Sequence, residues 1–227
     1  MIVDNIRSVT QRMANACEKS GRAIDDVKLV CVTKMASVEA MEEALAAGAS
    51  IIGENRVQDA AKKYTLIGNK VQWHLIGHLQ TNKAKDAVRI FSLIHSVDSV
   101  RLAKEINREA SKVNKVQDIL IQVNVSGEAS KFGIEPGFLK DLLRDIISCP
   151  NINVKGLMTI APEADNPETV RPYFKALREL KERINSSNLI AYKLQLLSMG
   201  MTGDFEVAIE EGSNIVRVGR AIFGPGT

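Results

Sequence analysis

Eight short apolar runs, each followed by a stretch with helical periodicity or a turn, constrain this chain more than any other feature. The runs cover residues 28–33, 50–53, 72–76, 91–95, 117–125, 152–158, 193–197 and 214–218. Helical patterns cover 37–47, 55–66, 80–89, 98–113, 135–147, 168–186 and 204–211, with a short turn near 219–223. Strands that alternate with helices predict parallel pairing through helical crossovers. Eight such units close best as a (β/α)8 barrel, with an open doubly wound sheet as the rival. Ile6, Val9, Met13 and Cys17 recur at three- and four-residue spacing, so an extra N-terminal amphipathic helix is expected, placed to cover one opening. Asp98 before VRLAKEI and Gly48 after ALAA read as helix caps. No proline- or serine-rich linker divides the chain, so residues 1–227 are expected to form one barrel domain.

Charge narrows the partners. The net charge is only +3, and the 30 basic residues are interspersed with 27 acidic ones. No like-charge block suggests nucleic-acid binding or a polybasic membrane patch. Cys17, Cys31 and Cys149 are odd in number and lack CxxC spacing, so they read as buried small hydrophobes or free thiols in a reducing compartment. No apolar stretch approaches the roughly 18 residues of a membrane helix. The opening MIVDNIRSVTQRM has no basic region followed by an apolar core, so cytoplasmic residence is the expectation.

In a parallel barrel the C-terminal strand ends share one mouth, where functional groups collect. Those ends carry Lys34, Glu54 with Asn55, His74 with Gly77 and His78, Ser96, Asn124, Met158 with Thr159, Ser198 with Gly200, and Arg217 with Gly219. Lys34 alone could be an ordinary solvated lysine. Ser198 and Gly200 follow the seventh strand, however, and Gly219 and Arg220 follow the eighth, where barrels commonly hold phosphate. A lysine amine beside a phosphate cradle suggests pyridoxal phosphate, held through its aldehyde and its phosphate. An imine-forming lysine must spend time unprotonated, so burial near another cation such as Arg217 is expected. Arg217 sits within the apolar IVRVG, where a core ion pair competes with a ligand contact. If it faces the pyridine nitrogen, that nitrogen must accept and stay unprotonated, because guanidinium only donates.

Other readings are weaker. His74 and His78 are four apart but flank LIG without a third ligand cluster, so no metal site is expected. His95 reads as a buried or strand-end histidine, and Glu54 as a base, a surface carboxylate or a cap. No GxGxxG, P-loop or GxSxG signature appears.

CVTK (31–34), IIGENRVQD (51–59), WHLIGHLQTNK (73–83), SVDS (96–99), LIQVNVSGEASKFGI (120–134), GLMTI (156–160), LSMGMTGD (197–204) and VRVGRAIFG (216–224) together resemble the pyridoxal phosphate homeostasis proteins, relatives of the barrel domain of alanine racemases. The resemblance spans essentially the whole chain, in order. It implies a (β/α)8 barrel with pyridoxal 5'-phosphate at its mouth and Lys34 as the imine lysine. It puts Arg217 opposite the pyridine nitrogen and assigns Ser198, Met199, Gly200, Gly219 and Arg220 to the phosphate turns. Asn55, His78 and Met158 match positions lining the cofactor. Many relatives carry threonine or serine where this chain has Arg220, which leaves a backbone contact there but puts a hydroxyl contact in doubt.

By the same resemblance the protein takes part in intracellular vitamin B6 homeostasis with little or no turnover, leaving open whether cofactor is buffered or handed to PLP-dependent apoenzymes. An amino-acid racemase is the rival, but it normally needs a base on each face of the imine. Tyr64, Tyr173 and Tyr192 do not obviously reach the mouth. A barrel using simple sugar phosphates is a third reading. A barrel with a capping helix is expected to be monomeric.

Overall fold

The computed structural model describes residues 1–187, 189 and 193–225. Its strands are β1 Lys28–Val32, β2 Ile51–Glu54, β3 Gln72–Leu75, β4 Leu93–Val97, β5 Gln117–Gln122, β6 Ile152–Met158, β7 Leu196–Ser198 and β8 Ile215–Val218. They pair in parallel, in sequence order, and β8 returns to β1 to close the barrel expected from the sequence. The open-sheet alternative is excluded. Among the described residues the helices are α1 Ile2–Lys19, α2 Val38–Ala46, α3 Val57–Ile67, α4 Ala84–Ile90, α5 Val100–Ser111, α6 Leu139–Ile146, α7 Arg171–Ser186, α8 Phe205–Glu210 and α9 Arg220–Phe223.

Local chemistry sets the boundaries. Ser37 caps α2, its side chain accepting from the Ala40 amide at 3.2 Å, and Gly48 follows the helix with φ +94°. Ser99, not Asp98, caps α5 by accepting from the Leu102 amide at 3.3 Å. β5 is shorter than its apolar run because Asn124 turns the chain, its Nδ2 donating to Glu128 O at 2.9 Å and its Oδ1 accepting from the Gly127 amide at 3.1 Å. β7 begins late because Asn185 of α7 holds Leu194 through both of its backbone polar groups. Tyr192 lies outside the described residues.

Alternation along the strands produces two apolar layers. A small inner cluster contains Val30, Val32, Ile51, Ile76, Leu93, Leu120, Met158 and Ile215. The much larger outer cluster joins strand residues such as Cys31, Ile52, Leu75 and Ile94 to the helices. Each buried Val, Leu or Ile contributes about 1.5–3 kcal/mol, so most of the stabilisation lies in the outer layer and the interior can carry polar groups. The three cysteines are buried and unpaired.

The sequence expectation for α1 needs correction. It packs on α8, α9 and α2, along the side of the barrel rather than across an opening. The reason is length: α9, the helix after β8, has only four residues and cannot cover the seam where β8 meets β1. The 18-residue α1 spans about 27 Å and fills the ring there. Arg12 donates to both carboxylate oxygens of Glu206 at 2.7 and 2.8 Å, and Asn5 Nδ2 donates to Ile222 O at 2.8 Å.

One glycine is required by close approach. A Cβ on Gly156 would lie 1.9 Å from the backbone oxygen of Leu196 on β7. We expect Gly156→Ala to lower the stability measured by urea unfolding by about 1–3 kcal/mol; an unchanged midpoint would contradict the packing of β6 on β7.

Candidate functional site

Strand parity decides which strand-end residues reach the mouth. Val30 and Val32 face the interior, so Thr33 turns toward the helices and Lys34 toward the axis. On β2 the same alternation sends Ile51, Gly53 and Asn55 inward and Glu54 outward. Glu54 therefore does not act at the mouth. Its Oε1 accepts from Thr33 Oγ1 at 2.6 Å and from Lys63 Nζ of α3 at 2.8 Å. Lys63 also donates to the Thr33 carbonyl, clamping the peptide that leads into Lys34. Gly77 lets the loop after β3 pass the Asn55 backbone, since a Cβ there would lie 2.3 Å from Asn55 O.

The mouth holds a cavity of about 700 Å3 that brings together Lys34, Asn55, Arg217, Gly219 and Arg220. Lys34 is exposed to this cavity, not buried as the sequence suggested, and its ammonium has no hydrogen-bond or ion-pair partner among the described residues. Arg217 is only 3% exposed. Its Nη1 donates to Ser198 Oγ at 2.6 Å and its Nη2 to the Thr159 carbonyl at 2.9 Å. No carboxylate of the described residues lies within ion-pair distance of it. Burial pulls its pKa down to about 10, with the nearby Asp204 carboxylate opposing. The guanidinium thus stays charged at neutral pH, hydrogen-bonded to neutral groups with the Asp204 carboxylate as a more distant counter-charge.

The cavity carries further groups that the sequence did not single out. Asp204, Lys131, Thr202 and Gly203 line it, with the 160–164 segment. Asp204 Oδ1 accepts from the Met201 amide at 2.6 Å; burial pushes its carboxyl up, while that bond and Arg217 pull it back. Its position at the start of α8 was the available signal. Lys131 lies 3.1 Å from Glu128 on the loop after β5. Arg220 is exposed, and its Nη2 lies 3.4 Å from Glu163. Four cations and two carboxylates line the space, a balance of +2 that favours an anionic guest.

Other candidates lie elsewhere. Ser198 is fully buried beneath the cavity, its hydroxyl shared by Arg217 and His95. Met199 is buried in the outer core and its amide donates to Ile215 O at 3.1 Å. Gly200, at φ +94°, lies against α8, where a Cβ would meet Ala208 at 2.6 Å. Met158 belongs to the inner core. His78 stands on the rim, stacked on Phe132 with ring centroids 4.1 Å apart and 3.7 Å from Asp98. His74 is inside the barrel, so it shares no site with His78. Its Nδ1 lies 3.0 Å from His95 Nε2, and His95 Nδ1 lies 2.9 Å from Ser198 Oγ. A second depression, of about 570 Å3 between α6 and α7, holds no strand-end residue.

Comparison with known proteins agrees with this geometry. Residues 3–226 match the alanine racemase N-terminal domain, which defines the class of barrel. Alanine racemase from Clostridium difficile 630 shares the fold, with a TM-score of 0.74 at 15% identity over 97% of this chain and 56% of that one. The pyridoxal phosphate homeostasis protein of Aquifex aeolicus is 47% identical over 222 residues, covering 97% of this chain and 96% of that protein. PipY of Synechococcus elongatus, solved with PLP bound, superposes with a TM-score of 0.86 at 32% identity over 99% of this chain and all of that one. This chain belongs to the pyridoxal phosphate homeostasis protein family.

The buried histidines make stability pH-dependent. Burial holds His74 neutral to about pH 3, with Lys28 adding to the effect, and depresses His95 well below its ordinary range. The unfolded chain protonates both near 6.5. It binds more protons there, so stability is full above that pH and falls as pH drops through 6.5 toward 3. His74 alone contributes a slope of about 1.4 kcal/mol per pH unit. Urea titrations between pH 7.5 and 5 should show this loss, and His74→Gln should flatten it by about that amount.

Proposed function

We propose that this protein binds pyridoxal 5'-phosphate in the mouth cavity, holds it through Lys34, and serves intracellular vitamin B6 homeostasis with little or no catalytic turnover. The observation that carries the reading is Arg217. A guanidinium buried this deeply with no close ion pair among the described residues is costly unless something in the cavity accepts its remaining N–H bonds. A pyridine nitrogen is such an acceptor. Lys34 lines the same cavity, its ammonium without a partner among the described residues, and the balance of +2 suits a phosphate ester.

When bound, the cofactor supplies an aldehyde that condenses reversibly with an amine; Lys34 and Lys131 both line the cavity, and Lys131 is paired with Glu128, which favours Lys34. Gly219 and Arg220, with the turn after Gly200, form the rim assigned to the phosphate. Ser198 and Met199 support that rim from below. Asn55 lines the wall, Met158 underlies the floor, and His78 with Phe132 forms the outer edge. Because Arg217 only donates, it favours an unprotonated ring nitrogen and so a weak electron sink. That supports storage over carbanion chemistry. PLP-dependent apoenzymes are the recipients this reading implies, and cytoplasmic residence as a monomer fits it. No helix among the described residues is long and apolar enough to cross a membrane.

The described residues give the racemase alternative no tyrosine at the mouth cavity. Tyr64 donates to Asn69 and packs edge-on against Trp73, and Tyr173 packs against the outer core.

Mixing the protein with pyridoxal phosphate should give an absorbance band that borohydride converts to a stable adduct, which peptide mass spectrometry places on Lys34. Lys34→Ala should abolish the adduct. Arg217→Leu should weaken binding about tenfold to a hundredfold, as loss of a charge-assisted hydrogen bond predicts. An adduct on another lysine, or rapid α-proton exchange and racemisation of alanine, would overturn the reading.

A further inference from the structure

We propose that His95 and His74 are positioning residues for Arg217, linked to it through Ser198 in a neutral hydrogen-bonded string that sets where the free guanidinium N–H bonds point. The inference rests on the reading that Arg217 faces the ring nitrogen of a bound pyridoxal phosphate.

The string runs through the barrel interior. Arg217 Nη1, Ser198 Oγ, His95 and His74 are joined by contacts of 2.6, 2.9 and 3.0 Å, and all four residues are at most 4% exposed. The layer around them is otherwise mostly apolar. Donor chemistry fixes its first link: arginine has only donors, so Ser198 Oγ must accept from it. The proposal assigns the serine's one proton to the nitrogen facing it, His95 Nδ1. His95 then carries its proton on Nε2 and donates to His74 Nδ1. Both imidazoles are thereby neutral Nε2–H tautomers.

A protonated imidazole would break this order. His95 with two N–H donors would force the serine hydroxyl to rotate and would place a second buried cation beside Arg217. Burial and mutual proximity keep both rings neutral, with Lys28 below His74 and Arg217 above His95 acting in the same sense. On the opposite side, the Thr159 carbonyl accepts from Nη2 and its hydroxyl donates to Val123 O at 2.8 Å. The guanidinium is thus held at two nitrogens while the residue lines the cavity. Nothing in this arrangement needs a histidine to touch the ligand.

Two measurements test the proposal. Nitrogen-15 NMR of the ligand-free protein should show both rings as neutral Nε2–H tautomers that do not titrate between pH 8 and 5.5. A ring titrating near 6.5, or His95 protonated on Nδ1, would overturn it whatever the ligand. The second compares affinities for pyridoxal phosphate and its 1-deaza analogue, in which CH replaces the ring nitrogen. His95→Leu should weaken pyridoxal phosphate about tenfold, the scale of one misdirected hydrogen bond, and leave the analogue unchanged. His95→Asn, which keeps an acceptor for Ser198, should restore most of the loss. Equal losses for both ligands, or none for either, would reduce the string to core packing. Failure of the unaltered protein to bind either ligand would sink the proposed function, and the NMR result would then decide the string alone.

Discussion

The pairing of β8 with β1 is the constraint on which both fold and site depend. Lys34 and Arg217 come from opposite ends of the chain, and they share a cavity only because the sheet closes with Val30 opposite Arg217. Closure leaves a seam that the four-residue α9 is too short to cover. The N-terminal helix supplies the missing wall, tied to α8 by the Arg12–Glu206 pair and to α9 through Asn5. The extra helix therefore protects the geometry of the site although none of its residues lines the cavity.

Charges outside the barrel and charges inside it are treated differently. On the outer face, Lys63 meets Glu54 at 2.8 Å, and Arg171 is surrounded by Glu168, Glu210 and Glu211, which raise its pKa. These are close ion pairs between strand and helix or between neighbouring helices. Arg217 is buried more deeply than Arg171 yet has only a hydroxyl and a carbonyl as close partners. Arg217 differs from these pairs in lining a cavity, and that is the observation on which the proposed ligand contact rests. The two histidines extend the same logic, adding neutral dipoles beside the cation while the Asp204 carboxylate stays beyond ion-pair distance.

The outer clamp on Thr33 and the inner string on Arg217 act on the two poles of the cavity. Lys63 and Glu54 fix the backbone just before Lys34, whose side chain is exposed. Ser198 and Thr159 fix the head group of Arg217 itself.

Much of this was legible in the chain. Eight apolar runs with intervening helical periodicity specify strand number, strand order and parallel pairing, because hydrophobic burial and short right-handed crossovers leave few alternatives. That logic also placed Lys34, Asn55, Arg217, Gly219 and Arg220 at the mouth. Only the folded chain decided parity: Glu54 and Asn55 are adjacent in sequence, yet one faces a helix and the other the cavity, because β2 enters the barrel with Ile51 inward. It also decided that Ser99 rather than Asp98 caps α5, that α1 lies along the wall, and that His95, Ser198 and Arg217 meet at all. Local pattern carries period and propensity, but contacts between residues a hundred positions apart are set by register and closure, which exist only in three dimensions.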